Sequence, residues 1–264
     1  MSKLFLSGAA PIAWLCALCL LLGVGCASSM NQAEQALRVR QGDAHYRLGL
    51  DYIGNQRVAL GLSELLQAER FDPQNPDIQQ ALAYAYMIKS KPDKAEHHYL
   101  RTLEIEPTSH EARLNLSVLY TQLDRYEESL TLTSILVEDA TFPGPWRALA
   151  NKGLAEFRLG RVEEARQTLE LSFDYREDYW PTLLYLGILE AEEGRHLEGV
   201  TFFRQVLAQE PGLEVQAQAN CRIGEIYIAR GERKRAIEHL RASVAQSPGG
   251  PWGEKSEEHL IRLR

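Results

Sequence analysis

Residues 146–169 read WRALANKGLAEFRLGRVEEARQTL, and residues 180–203 read WPTLLYLGILEAEEGRHLEGVTFF. A shift of 34 positions lays Trp146 on Trp180, Gly153 on Gly187, Gly160-Arg161 on Gly194-Arg195, Ala165 on Gly199 and Leu169 on Phe203. Each stretch holds two runs with apolar residues three and four apart, the period of a helix buried on one face. A Gly-Arg break separates the runs, as a tight turn requires. A small residue lies within each run, where one helix can approach another closely. The large residue four positions after the second small one fills the remaining space.

Working outward, six units of the same kind begin near Gly42, Pro76, His110, Trp146, Trp180 and Ala217. Their first helices carry Leu48-Gly49, Leu82-Ala83, Leu116-Ser117, Lys152-Gly153, Leu186-Gly187 and Ile223-Gly224. Three residues after the small one stands Tyr52, Tyr86, Tyr120 or Tyr227, with Glu156 and Glu190 as exceptions. The second helices offer Gly61, Ala95, Ser129, Ala165, Gly199 and Ala236, each followed four residues later by a packing residue. Pro73, Pro107, Pro211 and Pro248 end second helices, because proline lacks the N–H and clashes with the preceding turn. Two extra residues fall near Pro143-Gly144-Pro145 and three near Gly212-Leu213-Glu214.

This pattern resembles the tetratricopeptide repeat, a helix–turn–helix unit of about 34 residues. The resemblance implies an all-α fold, a right-handed superhelical solenoid of six repeats over residues 42–250. One hairpin cannot bury its apolar face alone, so the repeats stack and leave a concave groove. Residues 251–264 read as a capping helix, with Leu260, Ile261 and Leu263 docked on the sixth repeat. Residues 31–41 are either a short linker or the start of the first helix.

In such a fold the groove is lined by each first helix, at residues not used for stacking. That register assigns Tyr46, Leu50, Ile53, Tyr84, Met87 and Ile88 to the first two repeats, and Leu114 and Val118 to the third. It assigns Arg147, Leu154, Phe157 and Arg158 to the fourth, Leu184 and Ile188 to the fifth, and Glu225 and Ile228 to the sixth. The first three repeats therefore line the groove with apolar and aromatic side chains, the composition of a partner site. The alternative is a register displaced by one residue, which makes these side chains core. The Lys/Asn clamp with which tetratricopeptide chaperone adaptors hold a C-terminal carboxylate is replaced here by Tyr46, Leu50, Gln80 and Tyr84.

Composition narrows the function. The chain has 264 residues, 45% hydrophobic and 25% charged, which excludes a disordered chain and a polytopic membrane protein. A net charge of −7 with no basic run argues against nucleic acid as a partner. The seven histidines are scattered, and no HExxH, G-x-S-x-G or phosphate-binding glycine loop is present. The expectation is a protein without enzymatic activity, cofactor, metal or small-molecule substrate. Glu163-Glu164 and Glu192-Glu193 flank repeat turns and read as solvated faces.

The N-terminus reads as an address. Lys3 is the only charge before Glu34, and Ile12 to Val24 is an apolar run of 13 residues. That length suits a signal peptide and falls short of a membrane span. Gly25-Cys26 follows, and the stretch resembles a bacterial lipoprotein signal, although Gly23 stands where that family usually has Leu. The resemblance implies removal of residues 1–25, diacylation of Cys26, and a lipidated tether over residues 26–41. Ala27 after the cysteine implies the outer membrane, with the chain lipid-anchored and facing the periplasm. Cys16 and Cys19 lie in the removed segment, and Cys221 reads as a buried small hydrophobe.

A lipoprotein built almost wholly of six such repeats resembles the pilotins of type IV pili, the PilF/PilW/Tgl group. The join Thr141-Phe142-Pro143-Gly144-Pro145-Trp146 carries the likeness, while Gly144-Pro145 and Lys152 depart from that group. The resemblance implies that the groove binds secretin protomers and promotes assembly and localisation of the secretin channel. The rival reading is a general envelope scaffold that docks peptidoglycan enzymes, a protease or barrel-assembly components.

Overall fold

In the computed structural model, backbone is described for residues 10–263 and side chains for residues 32–263. Among the described residues there are 13 helices and no strand. The side chains of Cys16, Cys19 and Cys26, and most of the signal-peptide assignment, lie outside the described side chains. No described helix is long and apolar enough to cross a membrane. The chain forms two compact units, Met1–Pro107 and Thr108–Arg264.

The first unit contains α1 (Ala10–Gly54), α2 (Val58–Phe71), α3 (Pro76–Ile88) and α4 (Pro92–Ile105), paired as two antiparallel hairpins. Helix α1 is continuous, so residues 31–41 are helical, and the described side chains of that segment are exposed. Pro76 and Pro92 open their helices at a position where no N–H is needed. Asn75 caps α3, its side chain accepting from the Asp77 and Ile78 amides. The core is formed by Leu65, Ile78, Leu82 and Tyr99.

The second unit contains α5 (His110–Gln122), α6 (Tyr126–Glu138), α7 (Pro145–Arg158), α8 (Val162–Tyr175), α9 (Trp180–Glu192), α10 (His196–Ala208), α11 (Leu213–Ala229), α12 (Arg233–Gln246) and α13 (Pro251–Arg262). Consecutive helices pair into four hairpins closed by α13. Helix α11 begins at Leu213, ahead of the expected repeat start at Ala217, because Gly212-Leu213-Glu214 forms the entry to a longer helix. The extra residues before α7 are pinned. Thr141 donates to Asp139 from its amide and its hydroxyl, His110 Nε2 lies 2.8 Å from Asp139 Oδ2, and Phe142 is buried against Leu136 and Ala148. These bonds hold the Asp139 carboxyl well below the usual carboxylate range.

The cap docks differently from expectation. Ile261 is 63% exposed, and small residues make the contact instead. Gly253 and Ser256 are buried, a Cβ at Gly253 would collide with the Ser247 carbonyl, and Ser256 Oγ donates to Ser243 Oγ at 2.9 Å. Leu263 packs against the core as expected, and its carbonyl accepts from Arg233. Burial of Cys221 pushes its thiol pKa up, consistent with an inert packing residue.

One backbone device recurs in both units. The turn residue after each first helix is left-handed: Gln56, Ser90 and Asp124 in the first three repeats, then Gly160, Gly194 and Gly231. The left-handed region costs a residue with a Cβ about 1–2 kcal/mol, and glycine avoids this at an entropic cost of about 0.5–1 kcal/mol. A second device is polar. His45 Nδ1 meets Glu64 at 2.7 Å, His98 Nδ1 meets Gln79 Oε1 at 2.7 Å, and His239 Nδ1 meets Asn220 Oδ1 at 2.8 Å. Each pair is 19 residues apart and joins the two helices of one hairpin at one register. The corresponding pairs of the fourth and fifth repeats are Leu149 with Thr168 and Leu183 with Phe202.

Two outcomes follow from these devices. Ser90→Gly should stabilise the chain by about 0.5 kcal/mol and Gly194→Ala should destabilise it by about 1 kcal/mol, as read by urea denaturation. Burial lowers the pKa of His98 and of His239 from 6.5. The unfolded chain then takes up protons first as pH falls through 6.5, so stability is lost below that pH. The melting temperature should drop between pH 7.5 and about 5.5, and His98→Gln with His239→Gln should reduce that drop.

Candidate functional site

The first helices of the first unit, α1 and α3, present the side chains assigned to the groove. Tyr46 and Leu50 lie one turn apart on α1, and Tyr84, Met87 and Ile88 lie within one turn on α3. Leu50 is 41%, Tyr84 53% and Ile88 45% exposed, while Tyr46 and Met87 are half-buried. Four turns of helix thus carry three large apolar side chains that the fold does not cover. Burial, then Asp77 and Asp43, raise the pKa of Tyr46, which keeps its hydroxyl neutral and able to donate.

Ile53 belongs elsewhere. A Cβ on Gly61 would lie 2.6 Å from Ile53 Cγ1, so Ile53 fills the contact between α1 and α2. In the second unit, Leu114 is only 5% exposed and packs with Leu136, Phe142 and Ala148. The following first helix and the join before it cover Leu114 and turn it from a groove residue into core. Leu154, Leu184 and Ile188 are buried as well, the last two in the cluster around Phe203 and Ile223. Val118 is half-buried.

The first helices of the second unit carry charge and ion pairs. Arg147 Nη1 donates to Glu111 at 3.2 Å, and Glu225 accepts from Lys255 at 2.6 Å and from His259 at 3.1 Å. Burial opposes ionisation of Glu225, but Lys255, Arg222 and His259 together hold its pKa below the usual value. The exposed apolar groove positions Leu50, Tyr84 and Ile88 therefore all lie in the first unit.

The tyrosine register and its exceptions share one logic. Cations lie over Tyr52, Tyr86, Tyr120 and Tyr227, with Arg125 4.1 Å from the Tyr120 ring centroid. Glu190 receives Arg166 at 2.5 Å and Arg195, and Glu156 receives Lys152 at 3.0 Å. The exceptions exchange a cation–π contact for a buried ion pair. They are structural, and among the described residues no group of His, Cys, Asp and Glu is arranged to hold a metal.

Sequence reading missed a cleft of about 540 Å³ at the turn end of the same unit. Arg57, Val58, Ala59, Leu60, Ile88 and Lys89 line it. The turn residues gave no periodic signal.

Two segments, residues 132–172 and 217–249, match the tetratricopeptide repeat family. The chain is 25% identical over 162 residues to the type IV pilus assembly protein PilF of Pseudomonas aeruginosa. That match covers 59% of this chain and 64% of PilF, so it spans under two thirds of the relative's length. The solved structure of P. aeruginosa PilF superposes with a TM-score of 0.65 at 20% identity, over 84% of this chain and 99% of that one. PilW, described as a widely conserved type IV pilus biogenesis factor, superposes with a TM-score of 0.68 at 23% identity, over 81% and 96%. The Cut9–Hcn1 assembly of the APC/C gives a TM-score of 0.73 at 17% identity, over 84% and 43%. A higher score for a structure described in such different terms means that these superpositions report the fold. The two matched segments and the superpositions agree on a tetratricopeptide-repeat fold.

The two kinds of position separate by experiment. Leu114→Glu buries a charge in the core and should destabilise by more than about 3 kcal/mol, seen as lost helicity. Leu50→Glu and Tyr84→Glu should leave the melting temperature nearly unchanged, within about 0.5 kcal/mol. A collapse of helicity in the Leu50 variant would make Leu50 core.

Proposed function

We propose that this tetratricopeptide-repeat chain is an outer-membrane lipoprotein that promotes assembly and localisation of the type IV pilus secretin. The observation that carries the reading is the sequence match to a type IV pilus assembly protein across 162 residues. The exposed side chains of Leu50, Tyr84 and Ile88 give it a physical basis. Exposed apolar side chains gathered on one surface favour a protein partner, because covering them releases water.

In this reading the lipid on Cys26 holds the chain at the inner leaflet of the outer membrane. Each buried methylene contributes about 0.8 kcal/mol, and more than one acyl chain is needed for stable anchoring. Confinement to a surface raises the effective concentration of repeats around each secretin protomer. The groove covers an apolar segment of the protomer until ring contacts replace it. The work is binding and release, with no bond made or broken by this chain.

Deletion of the gene should leave secretin monomers and remove the heat-stable multimers seen on denaturing gels. Unchanged multimers would favour the general envelope scaffold. Cys26→Ala should leave an unlipidated precursor and move the protein out of the outer-membrane fraction; retention there would overturn the anchor.

A further inference from the structure

The cleft at the turn end of the first unit carries a chemistry that the groove lacks. Its walls are Val58, Ala59, Leu60 and Ile88, and two cations, Arg57 and Lys89, stand at its edge. Leu60 is exposed, as is Ile88, so the apolar wall is open to solvent. Arg57 lies 5.2 Å from the Tyr52 ring centroid, which holds its guanidinium on the turn. Among the described residues neither Arg57 nor Lys89 forms an ion pair, whereas Arg47, Arg101, Arg147, Arg166 and Lys255 all do. In a chain of net charge −7, two unneutralised cations on one small cleft are an electrostatic feature of that cleft.

Ile88 belongs both to the groove and to the cleft wall, so the two surfaces are continuous. An occupant of the groove that runs toward the turns arrives between Arg57 and Lys89. A free anion would leave the apolar wall uncovered, and a purely apolar segment would leave the cations without a counter-charge. A segment with both features satisfies both.

We propose that the cleft is a specificity subsite that takes an acidic side chain, Asp or Glu, flanked by apolar residues in an extended segment of the partner. This rests on the groove reading above and sharpens it. Arginine offers a fixed fork to the carboxylate and lysine a mobile point charge. Both heads are exposed, so the gain is modest and weakens as salt rises. It acts as discrimination, worth roughly fivefold against the uncharged amide. A basic residue at the same place is repelled.

A phage-displayed library of short random peptides, fused through their C-termini so that only side chains supply a carboxylate, tests the proposal on the purified repeat protein. The wild-type chain should enrich apolar peptides in which Asp or Glu adjoins Leu, Ile or Phe, roughly fivefold over the input library. Lys89→Gln leaves the Tyr52 contact untouched, and with Arg57→Gln it should abolish the acidic enrichment while apolar enrichment persists. Leu50→Glu should remove the apolar enrichment itself. Apolar peptides without acidic enrichment on the wild type would overturn the subsite and leave the groove reading standing. Acidic enrichment that survives in the double variant would also overturn it. No apolar enrichment on the wild type would overturn both readings.

Discussion

Close approach between the paired helices of each hairpin is the contact on which the remaining structure depends. A Cβ on Gly49 would lie 2.8 Å from Leu65 Cγ, on Gly153 2.6 Å from Leu169 Cγ, on Gly187 2.8 Å from Phe203 Cε1, and on Gly224 2.7 Å from Leu240 Cγ. The large residue of the second helix occupies the volume that the first helix vacates. Leu65, Leu169, Phe203 and Leu240 are fully buried as a result. Each such side chain contributes about 1.5–3 kcal/mol, and a misfit of one methylene is felt in interiors this dense. With that contact set, the tyrosine register, the interhelical polar pairs and the left-handed turn residue all recur at fixed offsets from it.

Stacking then decides what remains for function. A first-helix residue becomes core or surface according to what the next hairpin places over it. Leu114 and Leu184 are covered, while Leu50 and Tyr84 are not. The same register thus yields packing in one unit and an apolar surface in the other. Charged first-helix residues in the second unit are engaged internally, as in Arg147 with Glu111 of another first helix and Glu225 with Lys255 of the cap helix α13. The exposed Leu50, Tyr84 and Ile88 of α1 and α3 are left uncovered among the described residues, which is the physical ground for expecting an external partner.

Much of the fold was legible because its determinants are local and periodic. The Gly-Arg turns, the small residues and the prolines after second helices placed the starts near Pro76, His110, Trp146 and Trp180 within a residue of the observed helices, while the start near Gly42 falls inside the long α1. The sixth repeat match begins at Ala217 as expected, but Gly212-Leu213-Glu214, which looks like a loop, forms the cap and first turn of α11 ahead of it. The site was only partly legible. Periodicity identifies which face of a helix a residue occupies, so Leu50, Tyr84 and Ile88 emerged correctly as exposed. It does not report what lies opposite, and so Leu114 and Ile53 were misplaced. The cleft at Arg57 and Lys89 was invisible, since it arises where two turns meet and has no period.

Helix α1 has a consequence of its own. It runs unbroken from Ala10 to Gly54, and so passes through the proposed lipid attachment at Cys26 before it enters the first hairpin. A flexible tether would set only a maximum distance. A rod rises about 1.5 Å and rotates about 100° with each residue, so it sets altitude and azimuth together. The sixteen residues from Cys26 to Gly42 correspond to about 24 Å of standoff. In such a stalk a single inserted residue would lift the apolar surface very little but swing it more than a quarter turn about the stalk axis.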